Sequence, residues 1–115
     1  MSTASCAVAL DHLNRYTGGN RDLNEEILRL FEGQCLALVG QLEALAGGED
    51  GRAWHVAAHT LKGASRGIGA FALEDAAQSE EAEGPNAAAT AEALVRLRNA
   101  GAEVQAFITA YLANV

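Results

Sequence analysis

One proline, Pro85, and only 5% aromatic residues leave this 115-residue sequence poorly equipped to build a sheet. Sheets favour β-branched and aromatic side chains, whereas the abundant alanines here favour closely packed helices. A basic excess is also missing, the net charge being −7. Nucleic-acid binders carry a surplus of Lys and Arg, so overall charge argues against that class. No apolar run approaches the roughly 18 to 20 residues that span a bilayer. Met1 to Leu10 has neither the basic start nor the long apolar stretch of a signal peptide. Cysteine is limited to Cys6 and Cys35, whose spacing suits neither a metal site nor a disulfide framework. These absences predict a cytoplasmic protein with reduced thiols and no nucleic-acid or membrane partner. At this length there is room for a single domain over residues 1–115.

Caps and breakers divide the chain into five helical segments. The first is predicted from Ser5 to Tyr16, ending at Gly18-Gly19. The second opens at Asp22 with Glu25 in capping-box position, and Gly47-Gly48 closes it. Leu23, Ile27, Leu30, Phe31, Leu38, Leu42 and Leu45 give it an apolar stripe. Asp50 caps a third segment reaching about Gly67. A fourth runs from Ala70 to Glu83, where Gly84-Pro85 stops it. Asn86 is the expected cap of the fifth, whose inner side carries Leu94, Leu97, Gly101, Val104, Ile108 and Tyr111. The predicted architecture is all-α: an antiparallel four-helix bundle with a short additional N-terminal helix.

The third segment separates into two stripes. Trp54, Ala57, Ala58, Leu61, Ser65 and Ile68 form an inward stripe, with Ser65 able to bond a carbonyl one turn earlier. About 100° round the helix, His55, His59, Lys62 and Arg66 follow steps of four, three and four. Four cationic or potentially cationic side chains thus line up on an acidic protein. An imidazole held on such a helix can attack phosphorus and later give the phosphoryl group to a carboxylate. Lys62, one turn on, can neutralise phosphoryl oxygens. Gly63 leaves room for the ring or for a partner, and Arg66 extends the positive strip toward an acidic docking surface, with His55 beside it.

The run His59-Thr-Leu-Lys62-Gly63-Ala-Ser-Arg-Gly-Ile68-Gly69 resembles the signature of histidine-containing phosphotransfer (HPt) domains, roughly H-x-L-K-G-[SA]-[SA]-x-x-[IL]-G. The resemblance implies phosphorylation at His59, with Lys62 and Gly63 in support. It implies exchange with aspartates of response-regulator receiver domains, including those of a hybrid histidine kinase. No cofactor of its own is expected; the Mg²⁺ of the transfer would sit in the receiver. A monomer is expected too. Family members often place a polar residue on the next helix near the ring; Gln78 and Glu81 are the candidates, and neither is assigned to the site.

Competing chemistries have less behind them. His55 and His59 stand at a spacing that can hold zinc, but Val56 occupies the place of a metalloprotease glutamate and no third ligand follows. No metal is therefore expected. No Gly-Lys-[Ser/Thr] follows a strand, which removes a nucleotide loop. The chain is too short to add an ATP-binding domain, so ATP-dependent kinase activity is not expected. The acidic run Glu80-Glu81-Ala82-Glu83 reads as a solvated helix end. The alternative function is a helical adaptor that docks on a receiver or kinase and regulates it without carrying phosphate.

Overall fold

The computed structural model describes residues 7–86 and 90–113. Among these there is no strand. The helices are α1 (Leu10–Thr17), α2 (Arg21–Leu45), α3 (Gly51–Ile68), α4 (Phe71–Glu83) and α5 (Thr90–Ala113). α3 packs on α2 and α4, and α5 completes the ring by packing on α4 and α2, while α1 lies against α2 and α3. The core draws Leu28, Phe31, Leu38 and Leu42 from α2, and Trp54, Leu61 and Ile68 from α3. Leu73 and Ala77 come from α4, and Leu97, Val104 and Ile108 from α5. No described helix is long and apolar enough to cross a membrane.

The helix starts show which local signals prevail. Asp50 caps α3 as expected, its side chain accepting from the Ala53 N–H at 3.0 Å. At α2 the cap is Asn20, whose Oδ1 accepts from the Leu23 N–H at 2.9 Å. The expected Asp22–Glu25 box is displaced, and Glu25 pairs with Arg21 at 3.0 Å instead. α1 begins at Leu10, later than the predicted Ser5, which lies outside the described residues. Ala9 is held outside the helix because its N–H donates to the Gly69 carbonyl at 2.9 Å. Asn86 sits in a turn, and its predicted cap falls on residues 87–89, outside the described residues. Of the cysteines, Cys35 is a half-buried free thiol whose pKa burial pushes up, and Cys6 is not described.

On α2 the buried line is Asn24, Leu28, Phe31, Leu38 and Leu42. Leu23 and Leu30, predicted to face inward, are exposed. Each lies one residue from a buried position, about 100° off the line, so a sequence rich in leucine hides which ones point in.

The corner between α3 and α4 has one permissible residue at its apex. Gly69 adopts φ +82° and caps α3, with its N–H and that of Ala70 reaching back to Arg66 and Ser65 carbonyls. A Cβ there would lie 2.8 Å from the Ala9 carbonyl oxygen. Left-handed backbone costs an L-residue about 1–2 kcal/mol before any clash. Gly69→Ala is therefore expected to destabilise the fold by about 2 kcal/mol or more, read as a lowered urea midpoint at unchanged slope.

The fourth helix corrects the reading of its acidic end. Its inner line is Leu73, Ala77 and Glu80, at steps of four and three, so Glu80 is carried into the bundle. Neither carboxylate oxygen has a hydrogen-bond partner among the described residues. Burial pushes the Glu80 pKa up from 4.5 to about 7; Arg96 opposes the shift and Glu83 adds to it. The folded state then binds more protons than the unfolded chain from pH 4.5 to 7, so stability falls as pH rises through that window. Between pH 5 and pH 8 this group removes about 2 kcal/mol. Urea unfolding at both pH values is expected to show that much less loss in Glu80→Gln than in the native protein.

Candidate functional site

All six residues of the predicted inward stripe of α3 are buried: Trp54, Ala57, Ala58, Leu61, Ser65 and Ile68. Ser65 Oγ donates to the Leu61 carbonyl at 2.7 Å, which satisfies the one polar member. Trp54 Nε1 donates to the Glu80 carbonyl at 2.6 Å and ties α3 to α4. With the inner face fixed, His55, His59, Lys62 and Arg66 are directed along the α3–α4 seam toward solvent.

α4 answers this strip with one of its own. Glu74, Gln78 and Glu81 follow steps of four and three. Arg66 Nε bonds Glu74 at 2.8 Å, Lys62 Nζ bonds Gln78 at 3.0 Å and Glu81 Oε1 at 2.8 Å, and His59 Nδ1 lies 3.1 Å from Glu81 Oε2. Partner numbers fall on α4 as they rise on α3, so these two helices run in opposite directions. The local excess of positive charge expected from the sequence is thus largely neutralised within the molecule.

Glu81 is the hub. Its side chain is 12% exposed and gathers three groups, since His55 Nε2 also lies 3.4 Å from Oε2. The hydrogen bond from Lys62 is the main cause holding its carboxyl below the usual range. Partial burial works the other way, while the His59 contact and the charges of Lys62 and His55 lower it further. The His55 and His59 rings stack with centroids 5.7 Å apart and planes 13° from parallel. Both remain open to solvent, at 60% and 63% side-chain exposure.

This arrangement selects a tautomer. An ionised carboxylate only accepts, so a neutral His59 facing it through Nδ1 places its proton there. The lone pair is left on Nε2, which has no hydrogen bond among the described residues. The ring therefore offers a nucleophilic nitrogen to the outside while the other nitrogen is anchored. Beside it, Val56, Thr60, Gly63 and Gly67 form an exposed strip of mostly small residues, again at steps of four, three and four. A Cβ at Gly63 or Gly67 would meet nothing within 4 Å. Gly63 thus does not relieve crowding of the His59 ring within the molecule; what it keeps clear is the outer surface.

His55, His59, Lys62 and Arg66 lie on this seam and Gly63 on the exposed strip beside it, and three roles shift, that of Gly63 among them. Lys62 is committed to Glu81 and Gln78 rather than standing free, and Arg66 is paired with Glu74. The sequence alone does not assign Glu81 to the site, although its spacing from Gln78 and Glu74 matches the strip it opposes. Among known proteins, the family model described as Hpt domain matches residues 26–107, which is more than half of the chain. No curated protein and no solved structure matches it.

The tautomer is directly measurable. In the native protein, ¹⁵N chemical shifts of neutral His59 are expected to report the Nδ1–H form as dominant. Glu81→Ala removes the acceptor, and the Nδ1–H share is expected to fall; an unchanged share would mean that Glu81 does not orient the ring.

Proposed function

Because the chain belongs to the Hpt domain family, we propose that His59 is a phosphoryl carrier in a two-component phosphorelay, exchanging the group with receiver-domain aspartates. The observation that carries this reading is the anchored imidazole: Nδ1 against Glu81, and Nε2 at the exposed side of the ring with no hydrogen bond among the described residues. The antiparallel four-helix bundle serves as the rigid mount, since a side chain on a packed helix is positioned before its partner arrives.

In the proposed step, the Nε2 lone pair attacks the phosphorus of an aspartyl phosphate. The N–P bond forms as the P–O bond to the aspartate breaks, and the carboxylate leaves with that electron pair. The proton already on Nδ1 stays there, so the phosphorylated ring is cationic and Glu81 balances it. Lys62 Nζ, held one turn away, supplies positive charge to phosphoryl oxygens. The reverse reaction uses the same groups. Mg²⁺ is assigned to the receiver, where phosphate and carboxylates provide the oxygen ligands it prefers. Gly63 and Gly67 keep the surface beside His59 low, which suits the close approach of a second protein, and His55 and Arg66 flank that surface.

Incubation with phosphorylated receiver domains is expected to place acid-labile, base-stable label on the native protein and none on His59→Gln. ATP alone is expected to label neither. Binding to receivers without any labelling would instead favour an adaptor that regulates its partner by docking.

A further inference from the structure

The sequence provides a histidine pair without a third metal ligand; the fold supplies one from the neighbouring helix. One ring nitrogen from each of His55 and His59 and one Glu81 oxygen all lie within 4.8 Å of one another. Two of the separations are 3.4 Å and 3.1 Å, both to Glu81 Oε2. Zinc bonds of 2.0 to 2.1 Å in a tetrahedron set ligand atoms about 3.3 Å apart. The two contacts to Glu81 therefore already have the length of tetrahedral edges. Closing the third requires only motion of two exposed rings. The other carboxylate oxygen is held by Lys62, which leaves Oε2 for an ion and fixes the carboxylate plane.

The geometry points to a surface site for a borderline divalent transition-metal ion of the zinc type, held by His55, His59 and Glu81 with a fourth position open to water. Two imidazoles and a carboxylate favour such an ion over Mg²⁺ or Ca²⁺, which take oxygen ligands.

The site has a consequence that rests on the phosphotransfer reading. A neutral imidazole has one lone pair. Coordination through Nδ1 uses it and moves the proton to Nε2, the nitrogen that would attack phosphorus. Metal and phosphoryl group then exclude one another at His59. Nothing need cover the ring to silence it; the ion does so by reversing the tautomer.

Zn²⁺ titrated into the tag-free chain against a chromophoric chelator tests the site without any phosphotransfer. One ion per chain is expected, with affinity lowered at least about tenfold in His55→Ala and in Glu81→Ala, since losing even a supporting residue costs a metal site about 10- to 100-fold. Circular dichroism establishes that both variants remain helical. Co²⁺ in place of Zn²⁺ is expected to give the intense visible absorption of a four-coordinate ion. No binding by the native chain, or equal binding by both folded variants through groups such as Cys35, would overturn the proposal. Phosphoramidate, a small phosphodonor, separates this inference from the one it rests on. Labelling of His59 that Zn²⁺ suppresses, that EDTA restores and that Zn²⁺ no longer suppresses in His55→Ala supports both. Labelling without a zinc site defeats this inference alone. A zinc site without labelling defeats the phosphotransfer reading and leaves the metal site standing.

Discussion

The hydrogen bond from the Trp54 indole to the Glu80 carbonyl sets the register on which the candidate site depends. Both groups are buried, and the 2.6 Å contact spans α3 and α4 at the level of the histidines. A buried indole N–H left without an acceptor costs on the order of 1–3 kcal/mol. Sliding α4 by one residue would break that bond and rotate Glu81 away from the seam. The same carbonyl accepts the Gly84 N–H at 3.1 Å, so the last turn of α4 is tied down from two directions. The placement of Glu81 beside His59 thus follows from a contact made by its neighbour.

Glu80 and Glu81 show how far one step of a helix separates two chemically identical groups. Glu80 turns inward, finds no donor for its oxygens among the described residues, and burial pushes its pKa up to about 7. Glu81 turns to the seam, and Lys62, His59 and His55 favour its charged form. The first is a liability that the bundle tolerates; the second organises the surface. Their difference comes from environment alone, through desolvation in one case and hydrogen bonding in the other.

Much of this was legible in the sequence, and the exceptions share a cause. The inward stripe of α3 and its Asp50 cap could be read because one apolar face and one cap residue stood without competitors. The His59 run likewise marked the helix on which the candidate site lies. The α2 line departs from expectation at Leu23 and Leu30, where leucines occur on several sides and periodicity loses contrast. The start of α1 escaped because it is set by a bond from Ala9 to Gly69, sixty residues away along the chain. Glu80 was readable in principle, since Leu73, Ala77 and Glu80 keep helical spacing, but its charge argued for solvent. Glu81 required knowing which faces of α3 and α4 meet. Tertiary register is not written in either helix by itself.

The pairing of strips along the α3–α4 seam also bears on how a second protein would find this face. Lys62 and Arg66 are matched by Glu81 and Glu74, so the seam is nearly neutral on a molecule whose formal net charge is −7. Such a surface casts little long-range field of its own, and it does not pull a partner in from a distance as a concentrated charge patch does. An acidic visitor, repelled by the net charge of the whole, would find at this seam a surface that neither attracts nor repels it strongly. Charge would then do little to guide such an encounter, and shape would select the productive collisions once two surfaces touch.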